Sequence, residues 1–209
     1  MTATMTHRAA VKVADKINQY VTSPKEGLAY KKVVLGIEIL LINISKVTIV
    51  IAIAALLGVI PQAILTIIGF NVLRRTASGI HATTSYGCVI TSTILMVVIP
   101  FFTWGISLPR IATAAVFALI LLAIYKYAPM DTKARPLIGA KKRAKLKRMS
   151  MVSCLILATL LIISPFGEIN FMVTLGAVYA TIFILPITYK LLRREVNNYE
   201  QYESKQQDC

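Results

Sequence analysis

Acidic residues are scarce in this chain of 209 residues: nine Asp and Glu face 23 Lys and Arg, a formal net charge of +14. Histidine is scarcer, at two, and cysteine is limited to three. His7 lies far from His81, and Cys88, Cys154 and Cys209 show no metal-type spacing, so a zinc site finds no support and no cofactor is expected. Three scattered cysteines give no disulfide framework either. A secretory leader is also missing from the first thirty residues, which are basic and lack a continuous apolar core followed by a cleavage site. The basic residues build no aromatic-basic module or recognition motif, so nucleic acid is not an expected partner.

Apolar residues, by contrast, make up 56% of the chain and come in long runs, which makes lipid the expected solvent for most of it. Residues 5–21 read as an amphipathic helix with Ala9, Val13, Ile17 and Tyr20 on one stripe and basic side chains around it. Such a helix suits an anionic membrane surface, or it packs loosely on the protein as a solvated leader. Apolar runs follow at 33–57, 63–73 (short, or re-entrant), 89–103, 111–127, 151–163 and 169–189. The stretch 129–150 carries eight Lys and Arg against Asp131, which places it in the cytoplasm as a basic loop. The expected fold is therefore an all-α polytopic membrane protein with about six membrane segments, an interfacial amino-terminal helix and both ends cytoplasmic. Its parts are an amphipathic segment (1–30), a membrane domain (31–192) and a cytoplasmic tail (193–209).

One polar stretch interrupts the apolar pattern. Residues 74–88 bring His81 and Cys88, an imidazole and a thiol, close together in sequence among arginines, hydroxyls and glycines. A cysteine nucleophile needs a base to form its thiolate, and histidine is the usual one near neutral pH. On one continuous helix the two side chains would share a face but sit two turns, about 10.5 Å, apart. Base-assisted attack therefore requires a bend, which Gly79 and Gly87 permit and Thr83, Thr84 and Ser85 favour. The expected arrangement is an irregular or re-entrant stretch ending near Gly87, with Cys88 opening a transmembrane helix and gaining from its dipole. Taken singly, His81 reads as a polar loop residue and Cys88 as a small apolar filler; only their pairing points to catalysis. Asp131 and Glu168 are candidates for a third member, Glu168 disfavoured by its expected outer side.

Lys46 lies inside the first long run, where an ammonium costs about 2.5–3.5 kcal/mol on insertion scales. It either faces a protein interior and holds a substrate carboxylate, or it snorkels with local thinning of the membrane. Glu38, about 12 Å away along the helix, is too distant for a direct ion pair.

The elements Arg74-Arg75, Gly79, His81-Ala82 and Cys88, in the pattern R-R-x-x-x-G-x-H-A-x(5)-C, resemble the accessory gene regulator B family of quorum-sensing membrane endopeptidases. Ala128-Pro129-Met130-Asp131 and Ala134-Arg135-Pro136 resemble that family's proline-punctuated central loop. Ser78 departs from it, standing where the family often has glycine in a Gly-Gly pair. The resemblance implies a bacterial plasma-membrane enzyme in which Cys88, with His81 as base, cleaves the acidic tail from a short amphipathic propeptide on the cytoplasmic side. The acyl group then passes to an internal cysteine or serine to give a cyclic thiolactone or lactone, and a homodimer is implied as well. Arg74, Arg75, Gly79, Ser85, Lys46, Asp131 and Arg135 are the candidates for substrate binding or structural support. The alternative is a non-catalytic peptide permease or exporter, in which Glu38, Asn43 and Lys46 line a path.

Overall fold

A computed structural model describes residues 5–18, 28–80, 85–132, 137–195 and 198–200. It divides into two units at Ala52 and Ile53. In the first, α1 (Met5–Asn18) lies against the early turns of α2 (Leu28–Leu56). Ala14 and Val34 are buried there with Val11, Tyr30, Ile37 and Leu41 around them, and the Tyr30 hydroxyl donates to Asp15 Oδ1 at 2.7 Å. The face that carries Ala9 and Val13 is left exposed. The expected apolar stripe is thus not the one that packs on α2.

The second unit contains α3 (Ile60–Ala77), α4 (Ser85–Thr93), a π-helical turn (Ile94–Val98), α5 (Ile99–Phe102), α6 (Arg110–Tyr127), α7 (Ala140–Ile163), α8 (Gly167–Ile182) and α9 (Pro186–Leu191). The described residues contain no strand; an isolated parallel bridge joins Ser78 and Met130. Pro100 explains the π turn. Proline has no N–H for the carbonyl four residues back and its ring crowds that turn, so the ladder widens just before it, with Ile99 N–H donating to Ile94 O.

Two expected boundaries need correction. The basic stretch 129–150 is not loop throughout: α7 begins at Ala140, because Ala, Lys and Arg are strong helix formers and no breaker follows Gly139. The run 169–189 is broken at 183–185, where Pro186 starts a separate helix instead of continuing α8.

Leu73, Ala77, Phe117, Ile120, Ile124, Cys154, Leu157, Leu161, Val173, Ala177 and Ile184 form one buried core contributed largely by α3, α6, α7 and α8. The tightest crossing is α3 on α8, and it depends on glycine. A Cβ on Gly69 would collide with the Val173 carbonyl, and one on Gly176 with the Thr66 carbonyl. Small residues at a helix crossing let backbones approach where lipid offers no hydrophobic drive for association. Thr66 Oγ1 lies 4.0 Å from Met172 Sδ, the Phe70 and Phe183 rings meet edge to face at 6.0 Å, and Ile80 N–H donates to Phe183 O just past both helix ends, so the two helices run in the same direction. Helices α6 and α7 are each long and apolar enough to cross a membrane, and only 22% of either apolar window is buried. A soluble core helix would be mostly covered, whereas Leu119, Leu122, Leu155, Ile156 and Leu160 here point outward. Shorter apolar helices occupy Asn43–Leu56 and Tyr86–Phe102.

Candidate active site

Helix α3 stops where its sequence runs into Ser78-Gly79. Ser78 N–H still donates to Arg74 O at 3.2 Å, but Ser78 takes φ 58° and ψ −137° and Gly79 takes φ +106°, so the chain turns away from the helix axis. Arg74 then folds its guanidinium back over the turn. Nη1 donates to the Ser78 carbonyl, and Nη2 donates to the Gly79 carbonyl at 3.0 Å and to the Ile80 carbonyl. A fixed fork of N–H donors suits such a row of carbonyls, which a lysine could meet only as a point charge. The rings of Phe70 and Phe183 flank the guanidinium at 6.0 and 5.5 Å.

The same turn is held from two further directions. Met130, just past the cis Ala128–Pro129 bond, donates its N–H to Ala77 O at 3.1 Å and accepts from Gly79 N–H at 3.0 Å. Ile80 N–H donates to Phe183 O at 3.1 Å. Residues 77–80 are therefore fastened to α3, to the segment after α6 and to the end of α8. His81 is the next residue in the chain, but 81–84 lie outside the described residues.

Cys88 is half-buried, the fourth residue of α4. The helix thus starts at Ser85, three residues before the expected opening at Cys88, and Gly87 is helical rather than part of the bend. Even so, Cys88 remains in the first turn of the helix. Its side chain and that of Tyr189 lie within electrostatic range of the Arg74 guanidinium. Residues 78–80 are irregular and precede His81; the expected bend between His81 and Cys88 falls on 81–84, outside the described residues.

The remaining candidates scatter. Arg75, one residue from the clamp, points out and is exposed. Ser85 opens α4 by its backbone. Asp131 is 4% exposed; its Oδ1 accepts from Asn198 N–H at 3.1 Å and its Oδ2 from Tyr199 N–H at 2.8 Å. Tyr189 donates its hydroxyl to the Asp131 carbonyl at 3.0 Å. Glu168 is exposed in the first turn of α8, about 22 Å along the helix from the Phe183 end. Lys46 is half-buried on α2 in the first unit. Cys154 is 1% exposed in the core. Arg135 and Cys209 lie outside the described residues. Sequence reading missed Met130, Phe183 and Tyr189. The first two act through backbone groups, which leave no residue-type signal.

Ser78 carries a conformation that glycine adopts freely and serine does not, at a cost on the order of 1–3 kcal/mol. Ser78→Gly is therefore expected to stabilise the protein by about 1 kcal/mol after the added chain entropy of glycine is subtracted. Thermal unfolding in detergent checks this, and a lower midpoint would contradict it.

The described elements are helical and largely apolar, and a thiol lies within electrostatic range of an arginine-clamped turn. Comparison with known proteins then fixes the family. The sequence model described as Accessory gene regulator B matches residues 10–188. An AgrB-like protein of Listeria innocua is 40% identical over 174 residues, 83% of this chain and 85% of its own length. One of Clostridium acetobutylicum is 35% identical over 191 residues, covering 91% and 90%. Accessory gene regulator protein B of Staphylococcus carnosus is 28% identical over 169 residues, covering 80% and 87%. No solved structure matches the chain. The chain belongs to the accessory gene regulator B family, which acts in quorum sensing and is known for processing a propeptide.

Proposed function

We propose that this chain is a multi-pass plasma-membrane cysteine endopeptidase that removes the acidic tail of a short signal propeptide and closes the remainder into a ring. The observation that supports this most is the pairing of Cys88, in the first turn of α4, with Arg74, whose guanidinium ties down the three carbonyls immediately before His81.

The chemistry needs two acyl transfers. His81 takes the proton from Cys88 Sγ, and the thiolate attacks the scissile carbonyl to give a tetrahedral oxyanion. Backbone N–H groups at the amino end of α4 and the Arg74 charge are the groups suited to that oxyanion. The C–N bond breaks, the His81 imidazolium protonates the leaving amine of the acidic tail, and a thioester remains on Cys88. An internal thiol of the propeptide then loses its proton to His81 and attacks the thioester carbonyl. The ring closes, and Cys88 leaves as thiolate and is reprotonated. No water is consumed. Thioester-to-thiolactone exchange conserves acyl-transfer energy, and the tethered thiol has a high effective concentration. Exclusion of water favours ring closure over hydrolysis.

In this reading six segments cross the membrane and both termini are cytoplasmic. The common direction of α3 and α8 supports that count, since both descend from the outer to the inner side in it. The site at the carboxyl ends of α3, α6 and α8 then shares the inner face with Lys141, Lys142, Lys145 and Arg148. All four side chains are exposed. A homodimer is part of the proposal.

Reconstitution in liposomes with a propeptide that bears one internal cysteine tests it. The products are the free acidic tail and the cyclic peptide. Cys154→Ala and Cys209→Ala keep full turnover, whereas loss of turnover in either would assign the nucleophile elsewhere. Raising ionic strength from about 0.05 to 0.5 M should raise KM severalfold and leave kcat nearly unchanged, because exposed charges that capture the tail are screened. A KM indifferent to salt contradicts steering by the basic face.

A further inference from the structure

We infer that Asp131 is a positioning residue for the catalytic stretch, acting as the catch that fastens the carboxyl-terminal turn to it. The inference rests on the reading of His81 and Cys88 as the reacting pair. Asp131 follows Met130, whose N–H and carbonyl bond to Ala77 and Gly79 on either side of Ser78. Displacing Asp131 therefore displaces the rail that sets the path of the chain into His81.

Four hydrogen bonds from three residues hold Asp131. Its Oδ2 takes Tyr199 N–H at 2.8 Å, its Oδ1 takes Asn198 N–H at 3.1 Å and Asn198 Nδ2 at 3.4 Å, and its carbonyl takes the Tyr189 hydroxyl at 3.0 Å. Hydrogen bonds from backbone N–H groups to a carboxylate are about twice as strong as neutral ones. Both partners are shielded: Asp131 is 4% and Asn198 1% exposed. The turn is pinned a second time by Arg143, whose guanidinium lies 3.8 Å from the Tyr199 ring centre while Nη1 donates to Leu137 O at 3.0 Å. A chain end 67 residues away in sequence is thereby latched to the residue beside Met130. A loosely held solvated tail would place neither a buried asparagine nor two backbone donors on one carboxylate.

The test uses the full-length protein in liposomes and compares it with Asp131→Asn, which keeps the shape but sets an amide against backbone donors. Amide hydrogen exchange should rise together at Tyr199 and at Gly79 and Ile80, by at least about tenfold. The cleavage kcat should fall by about tenfold or more with KM within about twofold, the signature of misplaced reacting groups. Glu168→Gln, at the far end of α8, should change neither. Faster exchange at Tyr199 with unchanged exchange at Gly79 and Ile80, or an unchanged kcat, overturns the inference. Tyr199→Pro removes one donor but suits the first turn of a helix. It must raise exchange at Asn198, Gly79 and Ile80 and lower kcat in the same way if Asp131→Asn does not fold, and wild-type values in it overturn the inference. Absence of cleavage by the unaltered protein would instead overturn the peptidase reading, while the exchange comparison still decides the mechanical link.

Discussion

Cys88→Ala is expected to abolish cleavage of the propeptide, with kcat down on the order of 10⁴-fold or more, while the propeptide still binds. The size of the effect follows from the chemistry: without sulfur there is no acyl-enzyme, and residues that act as a unit fail together when one is removed. His81→Ala should approach the same loss, because no base then takes the proton from Cys88 Sγ as it attacks. Folding should survive in Cys88→Ala, since a small half-buried side chain is replaced by a smaller one. Propeptide binding measured alongside cleavage separates the two effects. A permease predicts full function in Cys88→Ala and thus the opposite result.

Gly79→Ala is the second large effect, and it acts through the backbone. Gly79 has φ +106°, which an L side chain rarely tolerates, and there is no room for one. A Cβ would lie 2.5 Å from Phe183 O, the acceptor of Ile80 N–H, and 3.0 Å from Ile184 Cγ2, and would press on Arg74 Nη1. Relief must come from moving residues 78–80 away from Phe183 and out of the guanidinium fork. A shift of about 1 Å at this point is expected to cost about a hundredfold in kcat. Gly36→Ala is the matched control, with nothing within 4 Å of its Cβ and ordinary helical backbone. Single-turnover cleavage by the two variants, normalised to the amount inserted in liposomes, gives the comparison. Equal rates would remove the backbone turn from the account.

The helices were largely legible because runs of Leu, Ile and Val report themselves at every position. What misled was the neighbourhood of charge. Lys141 to Arg148 reads as a loop by hydropathy but is helix by propensity, and α3 continues through Arg74 and Arg75 until Ser78-Gly79 stops it. At the site, the need for a bend between His81 and Cys88 followed from helix geometry alone; the break the structure describes, at residues 78–80, comes just before His81. The departure at Ser78 was visible as a missing glycine, and its φ of 58° gives the reason glycine suits that position. The partners of the turn were not legible. Met130 and Phe183 contribute carbonyl and amide groups that any residue carries, and Asp131, a candidate third member or support in sequence, gave no local sign that its carboxylate holds Asn198 and Tyr199. Contacts of that kind depend on tertiary distance, which no local pattern encodes.

The central claim is that a propeptide becomes covalently joined to Cys88. Mass spectrometry of the quenched protein, after mixing with a propeptide whose internal cysteine is replaced by alanine, tests this most directly. The account predicts a hydroxylamine-sensitive adduct on the peptide that contains Cys88, equal in mass to the propeptide without its acidic tail, and absent in Cys88→Ala. Release of the tail with no adduct at any time point, or an adduct on Cys154 or Cys209, would contradict it.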